Sequence, residues 1–416
     1  MKILVVGSGA REHAICWKLK QSSLVTKIYC APGNAGISKI AECVDIKAES
    51  LNELTNFAVI NNIDLSVIGP EGPLVSGLAD KLKENNIKVF GPCKKGALLE
   101  GSKSYSKDFM KKYNVPSAKY QVYTEIKKAK EELKNFNIPI VVKADGLAAG
   151  KGVIICQTKK EAEEAIDSIM KEKQFGDAGN TIVIEEFLEG TEASLLCFVD
   201  GKSIIPMESA RDYKKAYNDD KGLNTGGMGC FSPNSIYTDE LKSFINRNIL
   251  SKTLFGLKNE NIDFKGVLFI GLMVNNNVAK VLEYNTRFGD PETEVILPRL
   301  ESDLVEVMLK CIDGNLSEKD LQWKKEKCVT VVLASGGYPE SYEKGKEITG
   351  LNDVDDDVIV FHGGTKLFEG KVFTDGGRVL AVTAMGETLE VAREKIYKNI
   401  SKIHFDNMEL RTDIAK

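Results

Sequence analysis

Residues 139–156 read PIVVKADGLAAGKGVIIC. An apolar run ending at Lys143 drops into a loop of small residues and leaves it through a second apolar run. Gly146, Gly150 and Gly152, with Ala148 and Ala149 between them, let backbone N–H groups turn toward phosphate oxygens, and Lys151 adds charge. The spacing is not G-x-x-x-x-G-K-[ST], because Val153 follows Gly152 and no Lys-Ser/Thr closes the loop. A strand follows instead of a helix, which counts against a P-loop. A plain β-hairpin would need neither this length nor two lysines. The stretch predicts a strand, a Gly-rich loop and a second strand, with the loop over a phosphate.

Toward the carboxyl end, residues 281–294 read VLEYNTRFGDPETE. Glu283 and Asn285 alternate onto one strand face. Two oxygen ligands at i and i+2 suit a Mg²⁺ that keeps waters and phosphates as its other ligands. Arg287, two residues on, can reach a phosphoryl or carboxylate group. Between these sites lies VIEEFLEGTEAS, residues 183–194. It reads as part of a pair of strands around a tight connection that could hold adenine by its backbone, and alone it reads as readily as an exposed acidic turn. NTGGMG (224–229) and RDYKK (211–215) sit in a long loop, 209–234, and alone suggest flexibility.

Toward the amino end, ILVVGSGAREHA (3–14) is a strand, a Gly7-Ser8-Gly9 turn and a helix start, which reads as a phosphate cradle. Further strands are predicted in KIYCAP, LSVIGP and IKVFGP, ending at Pro32-Gly33, Gly69-Pro70 and Gly91-Pro92. They alternate with helices, and LSVIGPEGPL reads as a strand running into a loop. Nearly continuous apolar strands alternating with helices imply a doubly wound parallel sheet with ligands at the strands' carboxyl ends. A dinucleotide fingerprint wants glycine at position 12 and an acid after the second strand. Glu12 and Cys30-Ala31-Pro32-Gly33 stand there, so an NAD-dependent oxidoreductase explains GSGAREH alone. GSKSYSKDFMKKYNVP predicts a helix running to Pro116. From about Val329, three β signals (VTVVLASGGYP, VIVFHGGTKL, RVLAVTAMG) and one helix form the last unit.

The 416 residues are too many for one compact core. A formal net charge of −4 gives no hint of a nucleic-acid or membrane surface. No apolar stretch reaches membrane-spanning length, and the start lacks a signal-peptide pattern. Nine cysteines without a C-x-x-C pair suggest reduced thiols and a cytoplasmic setting. The three histidines share no metal spacing, and structural roles are expected for His362 and His404.

In this order, a lysine, a glycine-rich lid, an adenine hinge and a metal strand resemble the ATP-grasp enzymes. GSGAREHA, APGNAG, GPEGPL, LEGSKSYSKDFM, VVKADGLAAGKGV, IEEFLEGTEAS, NTGGMGCFSP and EYNTRFGDPETE together resemble the phosphoribosylamine–glycine ligase family. The resemblance implies an N-terminal doubly wound substrate domain (1–102), an α+β ATP-grasp domain (103–325, lid about 121–187) and a small α+β C-terminal domain (326–416). It implies a ligase that phosphorylates glycine with ATP and joins the glycyl group to 5-phosphoribosylamine.

By the same resemblance, Lys103 and Lys143 touch ATP phosphates beneath a lid that includes Gly146, Gly150, Lys151 and Gly152. Glu185, Glu186, Phe187 and Leu188 hold adenine, and Glu192 holds the ribose. Glu283 and Asn285 bind Mg²⁺ or Mn²⁺. Arg287 stabilises the transferring phosphoryl, and Asp212, Arg287 and Gly289 hold glycine. Gly7, Ser8, Gly9, Arg11, Glu12, His13, Gly33, Asn34, Pro70 and Glu71 surround phosphoribosylamine. A cytoplasmic monomer acting on small molecules, with ATP as co-substrate and no nucleic-acid or membrane partner, is expected. Tyr213 departs from the family, which often has histidine there. So does the tail, where Asp413-Ile414-Ala415-Lys416 replaces a longer run through Asp-Ile-Gly. Another ATP-grasp carboxylate–amine ligase is the alternative. A non-catalytic nucleotide-binding regulator would keep the lid without needing Glu283 and Asn285.

Overall fold

The structure is a computed structural model that describes residues 1–148 and 151–416. Its first strands are β1 (Lys2–Gly7), β2 (Lys27–Pro32), β3 (Glu42–Cys43), β4 (Leu65–Ile68) and β5 (Lys88–Phe90), ordered β3-β2-β1-β4-β5 with every pair parallel. Helices cover both faces, so β1 is apolar and buried from Ile3 to Gly7. The helices are α1 (Ala10–Leu19), α2 (Leu51–Ile60), α3 (Glu71–Ser76), α4 (Leu78–Glu84), α5 (Lys94–Gly101) and α6 (Lys103–Lys112).

Two expectations change here. The loop expected after LSVIGP is α3, because Pro73 falls in a first helical turn, where a missing N–H costs nothing. The helix expected to reach Pro116 ends at Lys112, and Asn114 is left-handed with φ 55°. Its start is firm: the Ser102 hydroxyl accepts the Tyr105 N–H at 3.2 Å.

The lid sheet contains β6 (Tyr120–Tyr123), β7 (Ile140–Ala144), β8 (Val153–Cys156) and β9 (Ile182–Glu186), ordered β6-β9-β7-β8 and antiparallel. The expected pairing of β9 with the next strand does not form. β10 (Thr191–Val199) belongs to another antiparallel sheet with β11 (Ile204–Pro206), β16 (Gly266–Asn275) and β17 (Val278–Asn285). The chain changes sheets at Gly190, whose φ is 150° and where a Cβ would lie 2.4 Å from the Val274 carbonyl oxygen. Only glycine fits that crossing.

The expected loop at 209–234 contains β12 (Arg211–Asp212), β13 (Lys215–Tyr217), β14 (Lys221–Asn224) and β15 (Gly229–Ser232). At two to four residues each, they are too short to carry a strand signal. β12 and β15 extend a sheet made by β18 (Lys327–Ser335), β20 (Val358–His362), β23 (Arg378–Gly386) and β24 (Met408–Glu409). VIVFHGGTKL is two strands. Its second half, β21 (Thr365–Phe368), joins β19 (Glu347–Ile348) and β22 (Lys371–Thr374) in a small sheet. One apolar core runs from Val5 and Ile15 through Phe198 and Phe269 to Val332 and Phe361, so all three regions pack as one body.

Candidate active site

A cavity of about 450 Å³ opens where the lid, the central sheet and the first and last regions meet. Lys103, the first residue of α6, lines it and donates to the Gly146 carbonyl at 3.0 Å. Burial holds its ammonium below the ordinary lysine range. One turn on, Lys107 ion-pairs with Glu185 at 2.9 Å, and Lys143 reaches the other Glu185 oxygen at 3.0 Å. Burial pulls Lys107 down to about 8 against the pull of Glu185. These three cations stand desolvated around one space, which strengthens their attraction for a phosphate.

The Glu185 carboxylate is thus taken by two lysines, and Glu186 is taken by the Lys119 N–H at 3.2 Å and Lys280 at 3.0 Å. What the hinge offers is backbone: Phe187 and Leu188 make no main-chain hydrogen bond among the described residues. Leu99, Met110, Ile155, Met273 and Leu282 add apolar wall. Aromatic bases suit such a slot of apolar walls and directed amides.

On β17 a bulge opposite Gly271 and Leu272 inserts Leu282, whose carbonyl accepts from Lys143 at 3.4 Å, before Glu283. Bulges re-aim side chains beside sites. Burial opposes charge on Glu283, but Lys214, Lys143 and Lys103 outweigh it and hold its carboxyl below the usual range. Asn285 Oδ1 accepts from Arg287 at 3.2 Å, and its Nδ2 is buried without a partner. Lys214 pairs with Glu192 at 2.9 Å. Burial works against its charge, yet Asp212, Glu192 and Glu283 hold it above the ordinary lysine range. Asp212 is pushed up by burial, with Glu192 and Glu283 adding to the rise.

Arg287 lines the cavity but is not free. It pairs with Glu100 at 2.8 Å and Glu71 at 3.4 Å. Gly289 lies behind the cavity wall, where a Cβ would stand 2.3 Å from Glu292 Oε2. Its role is to make room for Glu292, which accepts from Ser194 at 3.2 Å and lines the cavity. Burial and the neighbouring Asp212 push the Glu292 carboxyl up to about 7.

The reading of Gly7-Ser8-Gly9 as a phosphate cradle requires correction. The Glu12 carboxylate takes the Gly9 N–H at 2.6 Å and Arg11 Nε at 2.6 Å, and it is 1% exposed. It fills the helix-start position where an anion would bind. Gly7 and Gly69 exist to admit it: a Cβ on either would lie 2.6 or 2.0 Å from its atoms. His13 Nδ1 accepts the His362 N–H at 2.8 Å, and Asn34 Nδ2 donates to the Ser8 and His362 carbonyls. Gly33 backs onto Cys43, and Pro70 caps α3. Of the ten residues expected around phosphoribosylamine, Arg11 and Glu71 line the cavity. In the lid, Gly152 lines it, Gly146 packs on Ala178, and Lys151 donates to the Pro339 carbonyl at 2.8 Å. Gly150 lies outside the described residues.

Lys107, Glu100, Lys214, Asp290, Glu292 and Arg378 also line the cavity and escaped the sequence reading. Lys107 was legible as the residue one turn after Lys103, and Lys214 as the lysine two residues after Asp212 in RDYKK. Arg378 carries no local signal.

No cluster of three or more His, Cys, Asp or Glu side chains forms a metal site among the described residues. Glu283 and Asn285 nonetheless fit a hard cation. They supply one carboxylate kept ionised and one amide oxygen, a set that leaves positions for phosphate oxygens and water. No helix among the described residues is long and apolar enough to cross a membrane.

Profiles of the phosphoribosylglycinamide synthetase N, ATP-grasp and C domains match residues 1–100, 101–293 and 328–416. The chain is 49% identical to phosphoribosylamine–glycine ligase of Clostridium acetobutylicum over 416 residues, all of both chains. It is 48% identical to the enzyme of that name from Halalkalibacterium halodurans, covering 100% of this chain and 96% of that one. The crystal structure of phosphoribosylamine–glycine ligase from Thermotoga maritima superposes with a TM-score of 0.88 at 35% identity, over 99% of this chain and 100% of that one. A biotin carboxylase from Campylobacter jejuni shares the fold at a TM-score of 0.76 and 16% identity, over 98% of this chain and 92% of that one.

Proposed function

This chain belongs to the phosphoribosylglycinamide synthetase family, and from that membership we propose that it joins glycine to 5-phosphoribosylamine in purine biosynthesis, forming glycinamide ribonucleotide, ADP and phosphate. The observation that carries the reading is a single cavity with Lys103, Lys107 and Lys143 around one space and Glu283 and Asn285 on its wall. Phosphoryl transfer asks for positioning and charge neutralisation more than for a base.

Lys103 and Lys143 hold the ATP phosphates, while the Phe187 and Leu188 backbone meets the adenine. Glu192 accepts the ribose hydroxyls once Lys214 turns to substrate. A divalent cation held by Glu283 and Asn285, Mg²⁺ or Mn²⁺, neutralises phosphate charge when bound. Arg287, steadied by Glu100 and Glu71, steers the glycine carboxylate toward the γ-phosphoryl. Asp212 accepts from the glycine ammonium. The carboxylate oxygen attacks phosphorus, ADP leaves, and glycyl phosphate results. The amine then attacks the carbonyl carbon, Glu292 takes the amine's proton, and phosphate leaves. Closure of the 145–153 lid keeps water from the acyl phosphate.

We assign three units, 1–102, 103–325 and 326–416, and a monomer. A reducing cytoplasm suits nine cysteines that form no disulfide. The test is phosphate release by purified protein with ATP, Mg²⁺, glycine and fresh phosphoribosylamine. Release should require both glycine and the amine and should vanish in Glu283→Ala. Release without either substrate, or full activity in that variant, overturns the reading.

A further inference from the structure

The proposed function leaves the 5-phosphate of phosphoribosylamine without a seat, because Glu12 fills the helix start where the sequence suggested one. Arg378, the first residue of β23, enters the cavity from the C-terminal region, and Arg11 enters it from the N-terminal region. Each guanidinium is fixed along one edge. Arg378 Nη1 donates to the carbonyls of Gly226 and Asp290, each at 2.9 Å, and meets Asp290 Oδ1 at 2.9 Å. Arg11 Nε meets Glu12 at 2.6 Å, and its Nη1 donates to the Phe288 carbonyl at 3.1 Å. The remaining atoms, Nε and Nη2 of Arg378 and Nη2 of Arg11, find no acceptor among the described residues. Neither guanidinium has an atom among the buried unpaired groups, so these donors face the open cavity.

We propose that the open edges of Arg378 and Arg11 together form an anion subsite that takes the phosphate of the phosphorylated amine substrate. The inference rests on the ligase reading of the same cavity. A guanidinium fork matches phosphate oxygens in pairs and stays charged at every working pH. Asp290 lies between the two: Oδ1 pairs with Arg378, and Oδ2 accepts the Arg11 backbone N–H at 3.5 Å. With Glu12, it balances the fixed edges and lets two arginines share the wall before substrate arrives. Gly226 supports the arrangement, since a Cβ there would press on the Arg378 guanidinium carbon at 2.8 Å. Burial opposes the charge of Arg378, yet Asp290 holds it above the ordinary range. The glycine carboxylate has Arg287, two residues past the end of the strand that carries Glu283 and Asn285. Three regions of the chain therefore close around the phosphate.

The test uses the full chain with Arg378→Lys, which keeps a donor for the Gly226 and Asp290 carbonyls, and Arg378→Gln. Arg378→Lys should raise KM for phosphoribosylamine about 30-fold while KM for glycine and for ATP stays within about twofold. Ribose 5-phosphate should raise the wild-type melting temperature where ribose does not, and Arg378→Gln should lose that shift. A rise in KM for glycine instead overturns the proposal, because the arginine then serves the carboxylate. Parallel changes in all three KM values with an unchanged ribose 5-phosphate shift also overturn it, because the arginine then only clasps the regions together. If the wild type fails to use phosphoribosylamine but still shows the Arg378-dependent shift, the ligase reading falls and the anion subsite stands.

Discussion

Glu185 and Lys107 meet at 2.9 Å with both side chains about 2% exposed, and Lys143 reaches the same carboxylate at 3.0 Å. Losing one partner of a buried pair strands the other's charge, at a cost of about 3–5 kcal/mol. Here the two deletions are unequal. Glu185→Gln takes the contacting carboxylate from two buried lysines, whereas Lys107→Met leaves Glu185 paired with Lys143. Urea denaturation should find Glu185→Gln less stable than Lys107→Met by about 1–2 kcal/mol. The reverse order would mean that Lys143 is not a working partner.

Glu292 governs the acid side of the rate. Its carboxyl is pushed up to about 7 by burial and by Asp212, so it is protonated below that pH and cannot take the amine's proton. The kcat of the wild type should rise with pH through about 7. Glu292→Gln should lower kcat by about 10²-fold and abolish that limb. Glycine-dependent ADP formation with hydroxylamine, a nucleophile needing little base help, should survive. An unchanged acid limb in Glu292→Gln contradicts the role.

His13 and His362 couple stability to acid. Burial lowers His13 to about 3 and His362 to about 4, and Lys39 adds to both. Their unfolded values are near 6.5, so the unfolded chain binds more protons between those limits. The stability they contribute is fully present above about pH 6.5 and is lost as pH falls toward 4. The slope reaches at most about 1.4 kcal/mol per pH unit for each histidine. Because His13 Nδ1 accepts the His362 N–H, protonation also breaks a contact between the first and last regions. Unfolding measured from pH 7 to 4.5 should lose part of its pH slope in His13→Gln, and an equal slope would exclude the coupling.

Tyr213 ties the chain's end to Asp212. Its hydroxyl accepts the Ala415 N–H at 3.0 Å, and the Arg411 guanidinium lies 4.9 Å from its ring centre. Ile414 beside it is fully buried. Ile414→Ala should cost about 2–4 kcal/mol and raise KM for glycine, because the strand bearing Asp212 loosens. Tyr213→Phe should cost about 1 kcal/mol. A normal KM for glycine in Ile414→Ala would show that the tail supports the fold alone.

Much of this was legible in residue order. Alternation exposed Glu283 and Asn285 on one strand face, and glycines between apolar runs exposed the lid. The parallel sheet followed from nearly continuous apolar strands alternating with helices. Other features depend on distant neighbours. Glu12 reads as a broken fingerprint until Gly69, 57 positions away, is seen making room for it. Gly190 reads as a hairpin turn, since nothing local tells a turn from a crossing between sheets. Arg378 is one charge at a strand start. Its meaning comes from Gly226 and Asp290, which β23 meets only in the folded chain.

The most direct measurement follows oxygen from glycine labelled with ¹⁸O in its carboxylate. Transfer through glycyl phosphate predicts one ¹⁸O in each inorganic phosphate released, and one retained in the amide, when ATP, the cation and phosphoribosylamine are all present. Phosphate carrying no label would mean that the glycine carboxylate never bonds to phosphorus, and the mechanism would be wrong.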